Sequence, residues 1–282
     1  KAAVIFDWES MWAPDDCQGY ANVGKKYMEV CYSYHNEFWK RGIDCDVVSP
    51  LADLSRYKIV IDPMQYLVDE ARAENLRNYV EQGGTLYGTY MLSTVDENDL
   101  CHLGGIPGLG LKEVFGLEAE EIDTLYPHEK QHAAAGGETF GLVDYCEVLK
   151  LKGVKVLAQY ADGWYAGTPA VTENAFGKGR AIYQACRDAG ELKDRLFARI
   201  LEELELPFYE AEGEAAFYGP KVDIQLKNVY GKEDTMITIQ LDNAIAEQFD
   251  MSYIDQNGDK VRPYIIHRTS MGCYERTLAA LI

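Results

Sequence analysis

The arrangement of apolar residues changes near Leu206, and this change constrains the fold more than any other feature of the sequence. Before it, short apolar runs alternate with segments whose apolar positions recur every three or four residues. After Pro207 the segments alternate apolar and polar residues with a period of two. The first pattern indicates strands and helices in turn, and the second indicates half-buried strands. We therefore predict two domains, residues 1–205 and 206–282.

The first predicted domain alternates strands and helices with short links such as Asp62-Pro63 and Gly83-Gly84. This order is typical of an open parallel sheet covered by helices on both faces. It predicts an α/β fold, flavodoxin-like or class I amidotransferase-like. No element is assigned to the insert at 129–137, and 97–110 is predicted as a loop. The predicted strands are 2–6, 45–48, 59–61 and 85–90, with short strands within 154–183, and the predicted helices are 27–41, 69–81 and 191–204.

The second predicted domain is a smaller antiparallel α+β segment. Period-two alternation predicts strands at 217–226, 236–241 and 263–267. Asn257-Gly258 is a strong signal for a hairpin turn. Residues 270–282 are predicted to form a helix.

Charge and cysteine usage limit the partners that we expect. The formal net charge of −19 repels phosphate backbones and anionic lipid heads, which argues against nucleic acid and membranes as partners. No apolar run approaches the roughly 18 residues of a membrane-spanning helix, and no basic segment followed by an apolar stretch indicates a secretory signal. The seven cysteines include no C-x-x-C pair, which favours a reducing cytoplasm over a disulfide framework.

Candidate catalytic and metal-binding residues in the first domain are weak. An amidotransferase-type site needs a cysteine or serine on the tight turn after a strand, and the turn after 85–90 carries Met91-Leu92 instead. Cys101-His102 lies near Asp99, but neighbours in sequence rarely form a triad. His128 and His132 have the i, i+4 spacing of two metal ligands on a helix, yet no third ligand is evident and a solvated loop is favoured.

Several segments of the first domain resemble the middle domain of glycoside hydrolase family 42 β-galactosidases, in the order and spacing of that family over about 200 residues. The matching segments are AAVIFDWESMW (2–12), YMEVCYSYHNEFWKRGIDCDVVSPLADLSRYKIVIDPMQYLVDE (27–70), VEQGGTLYGTY (80–90), VDENDLCHLGGIPG (95–108), CEVLKLKG (146–153) and WYAGTPAVTENAFGKGRAIY (164–183).

This resemblance implies an assembly role. In the family, the catalytic carboxylates lie on a (β/α)₈ barrel that precedes this domain, and the domain mediates trimer formation and helps to wall the active site. We therefore expect a homotrimer, and a catalytic barrel of the parent enzyme as a further partner. A retaining glycosidase needs two carboxylates about 5 Å apart, and the chain offers no pair that we assign. The resemblance also implies that 6–9 (FDWE) is a loop facing the barrel or a neighbouring subunit.

The second domain resembles the class II catalytic core of threonyl-tRNA synthetase. The segments that carry the resemblance are YEAEGEAAFYGPKVDIQLKN (209–228), TIQLD (238–242) and RPYIIHRTSMGCYER (262–276). By resemblance, Arg276 is the motif 3 arginine that contacts ATP. Tyr218, Lys221 and Gln240 match positions that line the pocket for adenylate, threonine or the tRNA 3′ end. His267 matches one of three zinc ligands.

The parts of a synthetase that supply motif 1, the motif 2 arginine and the other zinc ligands are missing. One histidine cannot hold zinc, which takes three or four protein ligands, so we expect no cofactor unless the synthetase segment functions. Our first hypothesis is a non-catalytic β-galactosidase oligomerisation domain, inactive alone and fused to an incomplete synthetase segment. The alternatives are a truncated or repurposed synthetase that binds ATP or threonine, and an amidotransferase-like enzyme.

Overall fold

The computed structural model describes residues 1–17, 25–203, 213, 215–228, 230–269 and 274–281. The chain divides into two compact units, Lys1–Leu206 and Pro207–Ile282. The first unit contains a large mixed sheet, and the second contains a small antiparallel sheet.

The first unit alternates strands and helices over its first half and then continues mostly as strands. Its strands are β1 (Ala2–Ile5), β2 (Cys45–Val48), β3 (Ile59–Asp62), β4 (Thr85–Thr89), β5 (Leu117–Thr124), β6 (Gln131–Ala135), β7 (Glu138–Leu151), β8 (Lys155–Tyr160), β9 (Pro169–Phe176), β10 (Gly179–Gln184) and β11 (Cys186–Asp188). Its helices are α1 (Trp8–Asp16), α2 (Tyr27–Trp39), α3 (Glu70–Glu81), α4 (Leu111–Phe115) and α5 (Glu191–Glu203).

One half of the sheet is parallel, with the strand order β2-β1-β3-β4-β10. β1, β3 and β4 are buried along their whole length, as strands are when helices cover both faces of a sheet. The strands and helices predicted for this half from apolar periodicity are confirmed.

The other half is antiparallel and continues from β10 in the order β9-β8-β6-β7-β11, with β5 also paired to β7. The expectation of an open parallel sheet was therefore wrong for this half, and the sheet is mixed. A parallel connection needs a crossover of a dozen or more residues. The link between β6 and β7 at Gly136-Gly137 and the link between β7 and β8 around Gly153 are too short for such a crossover. The insert at 129–137 contains β6.

Helices cover both faces of the sheet and enclose an apolar core on each. On one face, Tyr34 and Phe38 of α2 pack with Phe197 of α5 and Tyr87 of β4. On the other face, Leu76 and Val80 of α3 and Val114 and Phe115 of α4 belong to a cluster that includes Leu86 and Tyr183 of the sheet. The first unit is thus a three-layer α/β/α domain in its parallel half.

Among its described residues, the second unit contains two antiparallel sheets, of three and two strands, and two helices. The three-stranded sheet has the order β12-β13-β16, and β14 pairs with β15 around the predicted turn at Asn257-Gly258. The elements are β12 (Lys221–Lys227), β13 (Glu233–Asp242), α6 (Ile245–Gln248), β14 (Tyr253–Ile254), β15 (Lys260–Val261), β16 (Ile265–Arg268) and α7 (Tyr274–Leu281). The predicted antiparallel α+β character is confirmed, while residues 270–273 of the predicted helix lie outside the described residues.

Gly179 marks a close approach between β10 and the end of α3. A Cβ atom there would lie 2.3 Å from the carbonyl oxygen of Gly84 and 2.4 Å from that of Val80. Because backbone must shift to relieve such contacts, we expect Gly179→Ala to lower the free energy of unfolding by about 1–3 kcal/mol. Gly141→Ala in β7 is the matched control, since a Cβ atom there meets nothing within 4 Å. Urea unfolding of both variants measures the difference, and equal stability would contradict the account.

Candidate functional site

The carboxyl ends of the parallel strands meet at one edge of the sheet, where open α/β sheets bind their ligands. Asp7 follows β1, Asp62 ends β3, and Met91 lies in the turn after β4. These residues make this edge the first candidate site. Its chemistry depends on how each side chain is held.

Asp7 is a helix cap. Its carboxylate accepts a hydrogen bond from the backbone N–H of Ser10 at 3.0 Å, and its own N–H donates to the hydroxyl of Tyr27 at 2.9 Å. This cap starts α1, so Trp8 and Glu9 lie in the first turn of a helix. The expectation that residues 6–9 form a loop was therefore wrong for Trp8 and Glu9, because Asp at position 7 satisfies a free N–H group of a helix start.

One arginine, Arg72, forms ion pairs with several carboxylates at this edge of the sheet. The guanidinium of Arg72 lies 3.3 Å from Asp7 and 3.6 Å from Asp69, and it also pairs with Glu9. The side-chain amide of Gln65 donates a hydrogen bond at 3.2 Å to Oδ2 of Asp7, the oxygen that Arg72 also contacts. Asp7 is only 7% exposed, and Oδ2 of its carboxylate is engaged by Ser10, Gln65 and Arg72, as expected for a residue with a structural role.

Asp62 is the unusual member of the group. It is 0% exposed, and neither carboxylate oxygen has a hydrogen-bond partner. Burial and, to a smaller extent, the nearby Asp7 raise the pKa of Asp62 to about 8 against the opposing effect of Arg72. Such a carboxyl is held in its neutral form at neutral pH. Sequence reasoning missed Asp62, although a carboxylate that closes the apolar run at 59–61 was an available signal.

Asp7 and Asp62 do not form a glycosidase pair. Both are buried within the fold, whereas a retaining glycosidase exposes two carboxyl groups to the two faces of a sugar.

The turn after β4 has the strained backbone of a nucleophile-bearing turn without a nucleophile. Met91 has φ of 67° and is buried, and its N–H donates to Oε1 of Glu147 at 2.8 Å. Glu147 also accepts hydrogen bonds from the hydroxyls of Tyr183 at 2.8 Å and Tyr145 at 3.3 Å. A thioether cannot act as the nucleophile of an amidotransferase, so the geometry does not favour that alternative.

The remaining candidate residues of the first unit lie in different surroundings. A ring nitrogen of His102 lies 3.1 Å from the carbonyl oxygen of Val68, while Cys101 is exposed. His132 belongs to β6, where its Nδ1 lies 2.6 Å from Asp162, so the solvated loop expected for it was wrong. His128 stacks on Tyr126 at a centroid distance of 6.0 Å.

The second unit has a cleft of about 460 Å³ on the polar face of its sheet. Tyr218, Gln240 and His267 line it together. The hydroxyl of Tyr218 donates to Oε1 of Gln240, and Nε2 of His267 lies 2.9 Å from Asp242. Asp242 also accepts from the backbone N–H groups of Ala244 and Ile245, which holds the pKa of that carboxyl below its usual range.

Of the remaining synthetase-like positions, Lys221 is the register partner of Gln240 across β12 and β13, although it is not among the residues that line the cleft. Lys221 pairs with Asp223 at 2.7 Å. Arg276 falls within α7, and its side chain lies outside the described residues. Among the described residues, no group of three or more His, Cys, Asp or Glu side chains could hold a metal ion. His267 with Asp242 alone does not fit the ligand set of zinc.

Comparison with protein families gives two matches. The model of the β-galactosidase trimerisation domain matches residues 1–207. The model of the tRNA synthetase class II core domain (G, H, P, S and T) matches residues 146–282 and overlaps the first.

Curated relatives with similar sequences are β-galactosidases. One from Clostridium perfringens is 39% identical over 213 residues, which is 73% of this chain and 31% of the relative. One from Alicyclobacillus acidocaldarius is 41% identical over 209 residues, which is 72% of this chain and 30% of the relative. The chain therefore spans less than a third of the length of these relatives.

Solved structures that resemble this chain are also β-galactosidases. The β-galactosidase from Rahnella sp. R3 superposes with a TM-score of 0.73 at 31% identity, covering 94% of this chain and 39% of that one. The β-galactosidase from Bacillus circulans sp. alkalophilus gives a TM-score of 0.72 at 28% identity over 94% of this chain and 39% of that one. Among the described residues, no helix is long and apolar enough to cross a membrane.

Buried Asp62 predicts a specific pH dependence of stability. Its folded pKa is about 8 against an ordinary value of 3.8, so the folded state binds the proton more tightly. The stabilisation is complete below the ordinary value and is lost as the pH rises through about 8, with a slope of up to ~1.4 kcal/mol per pH unit. We expect Asp62→Asn to flatten the fall in the free energy of unfolding over this window.

Chemical unfolding at a series of pH values measures this slope. The matched control is Asp15→Asn, because Asp15 is exposed on α1, and it should leave the slope unchanged. Equal slopes for the wild-type protein and the Asp62→Asn variant would show that Asp62 is ionised in the fold.

Proposed function

Because the chain belongs to the β-galactosidase trimerisation domain family over residues 1–207, we propose that it is a non-catalytic oligomerisation domain of a β-galactosidase that also walls the active site. The family match is the observation that carries the proposal. We assign the role to residues 1–205, with residues 206–282 as a fused, incomplete synthetase segment. The expected partners are further copies of the chain, as a homotrimer, and the catalytic barrel of the parent enzyme.

The chemistry of the sheet edge supports a structural role. Asp7 caps α1 and pairs with Arg72, Asp62 is enclosed, and Met91 occupies the turn after β4. Asp7 and Arg72 are thus used within the fold, Asp62 is closed off from solvent, and the turn after β4 carries a thioether in place of a nucleophile. The order β2-β1-β3-β4-β10 of the parallel half supports a flavodoxin-like origin for the domain.

The net charge and the free thiols support our expectations for binding partners and cellular location. A net charge of −19 opposes binding to nucleic acid or anionic membranes. The described cysteines are free thiols, which supports a cytoplasmic location.

The proposal predicts association without catalysis. The chain, purified from a host that lacks its own β-galactosidase, should elute with a light-scattering mass of three chains and should not hydrolyse o-nitrophenyl-β-galactoside. Hydrolysis by the purified chain would contradict the non-catalytic role, and a monomer at every concentration would contradict the assembly role. The intact Bacillus circulans enzyme is the positive control for hydrolysis.

The second candidate function is small-molecule binding by a repurposed threonyl-tRNA synthetase segment. Its support is the match over 146–282 and the cleft in which Tyr218, Gln240 and His267 meet. The amide of Gln240 offers a hydrogen-bond partner to the hydroxyl group of threonine. ATP binding would further involve Arg276.

Calorimetry with L-threonine tests this candidate. Binding should occur to the wild-type chain, should weaken by at least about 10-fold in Gln240→Ala through loss of a buried hydrogen bond, and should be weaker for L-valine, which lacks the hydroxyl. Gln225→Ala is the control, because Gln225 is exposed on the same sheet. Absence of heat with threonine would remove this function.

A further inference from the structure

Two clefts of the first unit meet at one lysine. The larger cleft has a volume of about 730 Å³ and is lined by residues of α2, β7 and α5. The smaller cleft has a volume of about 280 Å³ and reaches Tyr90 and Gln184, at the carboxyl ends of β4 and β10. Small-molecule sites occupy clefts of this order of size. Four residues line both clefts, namely Ser33, Ala189, Gly190 and Lys193.

The amine of Lys193 is enclosed and lies where the two clefts meet. The residue is 7% exposed. Its Nζ donates to the hydroxyl oxygen of Ser33 at 2.9 Å and lies 4.9 Å from the centre of the Tyr34 ring. In the part of the chain that the structure describes, no carboxylate oxygen lies within the 4.0 Å of an ion pair with this amine. A buried lysine without such a partner has its charged form destabilised.

The hydroxyl of Ser33 leaves the electron pair of the amine free. Its single proton is donated to the carbonyl oxygen of Val30 at 2.7 Å, so its oxygen can only accept a hydrogen bond from Lys193. This holds for the ammonium form and for the neutral form of the amine alike. A neutral amine at this position therefore keeps its electron pair for a ligand in the cleft.

The surroundings of Lys193 favour the neutral amine, and those of Lys40 do not. Burial lowers the pKa of the Lys193 ammonium against the opposing effects of Asp188 and Glu37. Lys40 lines the larger cleft as well, but its hydrogen bond to Asp194 at 2.6 Å raises its pKa. Desolvated lysines with a lowered pKa are the ones that form imines with carbonyl compounds.

We propose that Lys193 binds small aldehydes in this cleft by holding them as an imine. The electron pair of Nζ forms a bond to the carbonyl carbon, and the carbonyl oxygen leaves as water with the two protons of the neutral amine. The step needs no oxidant or reductant, and water reverses it. The ligand is a small aldehyde because the amine is almost enclosed. Reversible imine formation is binding without turnover, so it goes beyond the assembly role and does not depend on it.

Reductive labelling of the unaltered chain tests the proposal. The probe is propanal with sodium cyanoborohydride at neutral pH, and peptide mass spectrometry measures the rate of N-propylation at each lysine. Lys193 should react at least about 10-fold faster than Lys40 and the exposed Lys152, because a lower pKa leaves a larger fraction of an amine neutral. In concentrated guanidinium chloride, which removes the cleft, the three lysines should react at similar rates.

Equal labelling of Lys193 and Lys40 in the folded chain would overturn the proposal, and so would a preference for Lys193 that persists in the unfolded chain. A variant gives a second readout. Lys193→Met should lose the rapid uptake of the first equivalent of propanal, whereas the control Lys152→Met should keep it. A folded Lys193→Met chain that takes up the first equivalent at the wild-type rate would also overturn the proposal, because the reactive amine would then be a different one.

Discussion

The sheet of the first unit depends on the buried carboxylate of Glu147, which joins its parallel half to its antiparallel half. Glu147 lies on β7, yet it accepts hydrogen bonds from the backbone of Met91 after β4 and from Tyr183 of β10. Burial raises the pKa of Glu147 to about 7. A buried acid that keeps such partners fixes its surroundings in one arrangement, because any shift would leave polar groups unsatisfied.

The use of Glu147 explains why the sheet edge is structural. The backbone turn at Met91 is aimed at a carboxylate of the fold, and Asp7 with Arg72 holds α1 and α3 together at the same edge. The polar groups of the edge thereby stabilise the domain, and the outer surface is left free for other roles. This distribution suits a domain whose partners bind its surface.

The sequence predicted the parallel half well and the antiparallel half poorly. Strands such as β3 are continuous apolar runs, and α2 and α5 have clear helical periodicity, so local patterns were sufficient. β6 is a short polar and alanine-rich segment whose strand conformation comes from its partners β7 and β8. α1 starts from a cap at Asp7 and has Pro14 inside it, so its pattern did not resemble a helix.

For the candidate site residues, too, the sequence predicted some features and missed others. Resemblance predicted Tyr218, Gln240 and His267, and the cleft of the second unit brings them together. The pairing of His267 with Asp242 could not be read from the sequence, because it depends on the register of β13 with β16. Asp62 was also missed, since its isolation from every hydrogen-bond donor is a property of packing.

The central proposal is that this chain assembles copies of itself and performs no catalysis of its own. Its belonging to the trimerisation domain family and the structural use of the groups at its sheet edge both favour that claim. Native mass spectrometry of the intact chain tests it most directly, because it counts subunits. The account predicts ions of three chains that dissociate into single chains on activation, and a spectrum of single chains alone would contradict it.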